Sequence, residues 1–346
     1  MKKKTETTTN TSAARPLKGR IALVAGATRG AGRGIARALA EAGATVYCTG
    51  RSVKGKPSPY RRPETIDETA AMIAAAGGKA IAVRVDHTHE AEVKALFRRI
   101  LRAHKRIDIV VDSVAGEDPL MGTYGFLWQA DLTTADAIFR QGLTSRIITA
   151  KHAAVAMMPA KQGLIVEVTE ADMIGGGGNP MAQAVKTAQK VLPLIWAAEL
   201  APHGISTVAV TPGFLRSESM LQHFGVTEET WREAGKKDSN FLQSESPVFV
   251  GRAIAAVAAD PKRQARSGML FGSWELARDY GVSDYDGRRP DWGRHAIDFS
   301  TLPSEWIELF RRGADLEINW LTTLADRTRQ FRAKIRTKHP RVGRRA

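Results

Sequence analysis

Residues 24–36 read V-A-G-A-T-R-G-A-G-R-G-I-A, glycine-punctuated between an apolar run and a stretch with helical spacing. The chemistry such a turn offers is anion binding. Gly26 lets the chain reverse sharply, and Gly30 and Gly32 lack a Cβ, so main-chain N–H groups and the start of the next helix approach a phosphate closely. Thr28, Arg29 and Ala31 complete the turn, and a dinucleotide is the ligand it predicts. Arg51 and Ser52 follow the second apolar run; with Arg29 they offer guanidinium forks and a hydroxyl to a further phosphate on an adenosine ribose. Glu170 and Lys186 are the candidates for proton transfer. A carboxyl in a partly dry pocket rises towards neutrality and can donate a proton; a nearby ammonium pushes the other way, and Asp172 could share a proton with Glu170. Capping or simple ion pairing with Lys186 explains the same two acids equally well.

These residues need a frame. Strand-like runs at 21–25, 45–49, 80–85, 107–111, 164–169, 206–211 and 269–272 alternate with helical stretches at 31–42, 65–76, 90–104, 134–158, 181–200 and 248–259. Such alternation predicts an α/β fold, a Rossmann-like doubly wound parallel sheet in a single domain. Irregular stretches at 52–63, 113–132 and 212–246, with the glycine run 175–178, are expected to wall the crevice beyond the carboxyl ends of the strands. The expected division is a flexible basic tail over 1–18, the nucleotide-binding domain over 19–298, and a helical, basic extension over 299–346. Trp306, Phe310, Trp320 and Leu324 are the expected docking residues of that extension.

The spacing G-x-x-x-G-x-G, in a strand–turn–helix near the start of the chain, resembles the T-G-x-x-x-G-x-G of the short-chain dehydrogenase/reductase family, with Ala25 in place of Thr. Asp86 matches that family's supporter of the adenine amino group, with His87 beside it, although capping of the next helix, where Thr88 competes, is its plainer role. Ala115-Gly116 matches the end of N-N-A-G, with both amides gone. Pro212-Gly213 and Ser217 match P-G-x-x-x-T over the nicotinamide, and Lys186 matches the ribose-gripping lysine. The resemblance spans about residues 18–272, and the basic pair Arg29 and Arg51 implies NADP(H) rather than NAD(H).

The resemblance fails in the catalytic tetrad. Ala182 stands at the Tyr of Y-x-x-x-K, Glu170 at the Ser, and residues 134–158 contain no Asn, so that Leu143 or a neighbour takes its place. The tyrosines are Tyr47, Tyr60, Tyr124, Tyr280 and Tyr285, all distant from Lys186 in sequence; only Tyr124 lies in a crevice loop. Residues 274–287 resemble the L-A-x-x-Y-G and D-x-D-G ending of one branch whose members retain the Tyr, which implies a lost or altered activity. The reading is an NADP(H)-dependent oxidoreductase with a non-standard proton donor, acting on a carbonyl or enone small molecule. The alternative is an inactive NADP(H)-binding sensor or partner-binding protein. The family resemblance further implies a homodimer or homotetramer built through the long helices.

The chain has 346 residues and a formal net charge of +15, of which residues 1–20 and 327–346 carry fourteen. Basic tails around a nearly neutral body argue against a shaped, sequence-specific nucleic-acid groove. Cys48 is the single cysteine; it excludes an intrachain disulfide framework and suits a reducing cytoplasm. No run reaches membrane-spanning length and the basic start lacks the apolar core of a signal peptide. His87 and His89 form H-x-H without matched partners, so no metal is expected.

Overall fold

The computed structural model describes residues 15–56, 62–120, 128, 131–170 and 179–298. Seven parallel strands, β1 (Ile21–Ala25), β2 (Thr45–Gly50), β3 (Lys79–Arg84), β4 (Ile109–Asp112), β5 (Gly163–Val168), β6 (Ile205–Thr211) and β7 (Leu270–Gly272), lie in the order β3-β2-β1-β4-β5-β6-β7. The central strands are buried along their whole length, which is why they read as continuous apolar runs rather than as alternating ones. The register pairs Ala25 with Thr49 and with Asp112. The strand order reverses between β1 and β4, and the crevice at that switch point is where the glycine turn emerges.

Ten helices follow in chain order: α1 (Gly30–Glu41), α2 (Ile66–Ala75), α3 (Glu90–His104), α4 (Ala135–Phe139), α5 (Ser145–Met157), α6 (Pro180–Leu200), α7 (Glu218–Phe224), α8 (Pro247–Ala259), α9 (Ser273–Tyr280) and α10 (Trp292–Asp298) among the described residues. Ile35 and Leu39 of α1 and Val250 and Ile254 of α8 close one face of the sheet. Val93, Phe97 and Ile100 of α3 with Ala153 and Met157 of α5 close the other. Helix starts are marked by chemistry: Thr65 accepts from the amide of Glu68, and Asn179 accepts from Met181 and Ala182 ahead of Pro180. The two faces of helices make the fold the doubly wound sheet expected.

Helices α1 and α8 meet backbone to backbone. A Cβ on Gly34 would overlap the carbonyl of Pro247, and one on Gly251 would stand 2.6 Å from the carbonyl oxygen of Gly34. Cys48 lies buried in β2, and desolvation pushes its thiol up to about 12.

Three expectations need correction. The helix expected over 134–158 contains a π turn at Arg140–Thr144 between α4 and α5, where Gly142 leaves room for Glu117. The stretch 212–246 is not irregular: α7 and two 3-10 turns gather Phe224, Trp231 and Phe241 into a satellite core under Phe214. The tail does not run to residue 18, because Leu17 is buried and its amide donates to the carbonyl of Ala42. Residues 299–346, with the docking aromatics expected there, lie outside the described residues, as do Tyr60, Tyr124, Asp172 and the run 175–178.

Candidate cofactor and active site

The glycines of the turn have different jobs. Gly26 has φ +79° and its amide donates to the carbonyl of Thr49 at 2.9 Å. A Cβ there would overlap the carbonyl of Ser113, and one on Gly32 would overlap that of Gly26, so both let main chain pack on main chain. Gly30, at φ +52°, instead opens towards the segment after β6: a Cβ would meet only Ser217 Cβ at 3.6 Å and Leu215 Cδ2 at 3.8 Å. That gap, at the positive end of α1, suits the diphosphate of a nicotinamide dinucleotide. The amide of Gly30 donates to Glu218 Oε2 at 2.7 Å, and Arg33 Nη1 lies 3.2 Å from Glu218 Oε1. Thr28 is buried, and its carbonyl accepts from Arg33 Nε.

Basic residues flank the turn. Arg29 Nη1 lies 3.8 Å from Glu64 Oε2, while Arg62 grips the same carboxylate with Nε at 3.0 Å and Nη2 at 2.6 Å. Burial opposes ionisation of Glu64, but the hydrogen bonds and charges of Arg62, then Arg29, outweigh it and hold the carboxyl below its ordinary range. Arg51 Nη2 lies 3.3 Å from where a Cβ on Gly116 would stand. Asp86 folds back on Thr88, accepting from its amide at 3.0 Å and its hydroxyl at 2.7 Å. Desolvation disfavours its charge, yet those bonds and the field of Arg51 keep it ionised. It does not cap α3, whose first turn is entered from His89. His87 is buried between Thr49 and Thr149, its ring nitrogens 2.9 and 2.8 Å from their hydroxyls; desolvation lowers its pKa and keeps it neutral. Its side chain thus knits β2 to α5. Ser52 is buried, with its carbonyl accepting from the amide of Ile66.

Beneath Ala115 and Gly116 sits a buried cation that the sequence reading missed. Arg146 of α5 donates to the carbonyls of Asp112 and Val114 at 3.2 and 2.7 Å and to Glu167 Oε2 at 2.8 Å. Desolvation and the neighbouring Asp112 raise Glu167 to about 8, against the pull of Arg146. Across the crevice the amide of Gly213, next to Pro212, donates to buried Glu245 at 3.0 Å. Ser217 accepts from the amide of Met220 and so caps α7.

The catalytic candidates converge on α6. Lys186 Nζ lies 3.3 Å from Glu117 Oε1, 3.4 Å from Asp118 Oδ1 and 3.5 Å from Glu170 Oε1. Ala182, one turn earlier, is buried. Burial opposes the charge on Lys186, but the three carboxylates outweigh it and raise its pKa. Asp118, although its side chain is nearly half-exposed, is pushed up to about 6, by desolvation first and then by Glu117 and Glu170, against Lys186. Gln189 fixes the assembly, donating to Glu117 Oε1 at 3.2 Å and to the carbonyl of Gly142 in the π turn at 2.9 Å. Leu143 belongs to that same turn. The structure therefore brings Glu170 and Lys186 together and adds Glu117, Asp118 and Gln189. The acidic pair after Ala115-Gly116 was the one signal in the sequence that pointed to them. Of the described tyrosines, Tyr47 bonds His104, Tyr280 bonds Asp260, and Tyr285 lies under Arg37 and Arg252. Among the described residues no group of His, Cys, Asp and Glu is arranged to hold a metal ion, and no helix is long and apolar enough to cross a membrane.

The profile of the short chain dehydrogenases matches residues 20–225. The mouse protein called dehydrogenase/reductase SDR family member 1 is 34% identical over 316 residues, covering 89% of this chain and 97% of its own length. The human protein of that name is 33% identical, with 80% and 86% covered. Among solved structures, a hydroxysteroid dehydrogenase from Escherichia coli superposes with a TM-score of 0.59 at 22% identity, over 74% of this chain and 95% of its own. A 7 alpha-hydroxysteroid dehydrogenase complexed with NADH and 7-oxo glycochenodeoxycholic acid gives 0.60 at 21%, over 74% and 93%. Matches of this length and identity, on this sheet, make the chain a member of the short-chain dehydrogenase/reductase family, oxidoreductases that work with a nicotinamide cofactor.

Proposed function

We propose that the protein is an NADP(H)-dependent oxidoreductase that reduces a small carbonyl or enone and draws its proton from a carboxyl rather than a phenol. The observation that carries the reading is Lys186 set within 3.5 Å of Glu117, Asp118 and Glu170, one turn from the buried Ala182. When bound, the nicotinamide supplies a hydride. The protein's share is to hold the dinucleotide through the turn around Gly26, Gly30 and Gly32, and to hold a proton. Asp118, with its carboxyl at about 6, keeps a proton in roughly a tenth of molecules at neutral pH. Asp118 and Glu170 are both half-exposed, so either can exchange its proton with solvent. Lys186 links the two acids and is the expected ribose ligand. Exposed Val155 and Ile147 on α5 and Ile195 on α6 support assembly into dimers or tetramers through these helices.

The test is to follow loss of reduced nicotinamide absorbance with NADPH and a panel of carbonyls and enones. Asp118→Asn is expected to lower turnover about 100-fold with cofactor affinity unchanged, and to remove the fall in rate that the parent shows as pH rises through about 6. Ala182→Tyr, assayed alongside, asks whether a phenol restores a conventional site. No consumption by any variant, with NADPH still bound, would replace this reading by the sensor or partner-binding protein.

The cofactor preference has its own test. Arg51→Ala is expected to weaken NADPH binding roughly 10- to 100-fold, the worth of a charge-assisted phosphate contact, and to leave NADH nearly unchanged. Titration calorimetry with both cofactors checks it, and an equal loss for NADH would refute the role given to Arg51.

A further inference from the structure

We propose that Glu218 is a built-in competitor for the cofactor's diphosphate, holding α7 over the glycine turn until an incoming anion displaces it; this rests on the dinucleotide reading above. The amide of Gly30 is the donor that the turn presents to the open gap, and it is taken: Glu218 Oε2 accepts from it at 2.7 Å. The second oxygen of the same carboxylate lies 3.2 Å from Arg33 Nη1. Arg33 is itself fixed by the carbonyl of Thr28, the hydroxyl of Thr69 and Glu68. A carboxylate thus sits where the helix dipole and the exposed amide favour an anion, supplied by the chain 188 residues away.

The geometry of the donor segment makes the contact a latch. Glu218 is the first residue of α7, directly after the Ser217 cap. Upstream, the amide of Gly213 is tied to Glu245, and Leu215 bridges to Glu245 as well. The segment from Gly213 to Glu218 is therefore anchored at one end inside the body and at the other on the turn. One N–H cannot serve a carboxylate and a diphosphate together, and the two anions repel. Binding requires Glu218 to leave, so the apparent affinity is the intrinsic one reduced by the fraction of molecules already open. By linkage, a bound diphosphate frees α7.

The experiment measures binding of NADPH, inorganic pyrophosphate and 2′-AMP to the parent, Glu218→Gln and Glu218→Asp, with thermal unfolding of each protein alone. Aspartate keeps a charge in the first turn of α7 but is too short to reach Gly30, so it tests the latch even where glutamine impairs folding. Both variants are expected to bind NADPH and pyrophosphate about tenfold more tightly, with 2′-AMP, which lacks the diphosphate, unchanged. Unchanged or weaker binding of NADPH and pyrophosphate by folded variants, or an equal gain for 2′-AMP, would overturn the proposal with the cofactor reading intact. Tighter pyrophosphate binding with no NADPH binding by any of the proteins would support the latch and remove the nicotinamide reading instead.

Discussion

Gly34→Ala is expected to lower the stability of the domain by about 3 kcal/mol or more, or to prevent folding, although alanine is the better helix former by about 1 kcal/mol. The sign is decided by what the new methyl meets. It would overlap the carbonyl and Cβ of Pro247, at the start of α8, and a backbone carbonyl cannot swing aside as a flexible side chain does. The contact is mutual, because a Cβ on Gly251 would stand 2.8 Å from Ala38 Cβ and from Ile35 Cα. Denaturant unfolding of the parent, Gly34→Ala and Gly251→Ala measures the effect. A gain near the helix-propensity value would show that α1 and α8 separate easily. Since α1 carries the phosphate turn, cofactor affinity is expected to fall with stability.

Arg146→Met is the second large effect, about 3–5 kcal/mol at neutral pH, because it leaves buried Asp112 without its cation and buried Glu167 without its hydrogen-bond donor. Adding Asp112→Asn and Glu167→Gln to it should recover most of the loss, as neutral partners need no counter-charge. The pH dependence follows from Glu167, raised from 4.5 to about 8. A folded state that holds the proton more tightly than the unfolded chain gains stability fully below pH 4.5, and loses it as pH rises through 8. Stability of the parent should therefore decline across that window, and Glu167→Gln should flatten part of the decline. Glu245, raised to about 8 by desolvation, supplies a second share in the same direction. Chemical denaturation of both proteins at pH 5 and pH 8.5 checks the slope; identical slopes would mean that Glu167 is already ionised.

The frame was legible in the chain because buried parallel strands leave continuous apolar runs and their crossover helices leave a 3.6-residue period. The α3 boundaries, Glu90–His104, appear in the sequence as they do in the fold. The π turn was not legible, since Arg140–Thr144 keeps helical spacing on either side. The 3-10 turns around Trp231 and Phe241 are too short to show any period. Within the site, Glu170 and Lys186 could be aligned one at a time on a motif. Glu117, Asp118, Arg146, Gln189 and Glu218 could not, because their partners lie from 21 to 188 residues away and only the folded sheet brings them together. Burial rather than residue type sets the unusual protonation of Glu167, and burial is a property of the fold.

The sealed thiol of Cys48 has a practical consequence. The chain's sole sulfhydryl is inside β2 and strongly resists ionising, and alkylating reagents attack the thiolate. For labelling purposes the native protein is a blank background. A cysteine introduced on the outer face of α7 would then carry a fluorophore or spin probe alone, and distances from it to the body would report directly on the movement of that helix.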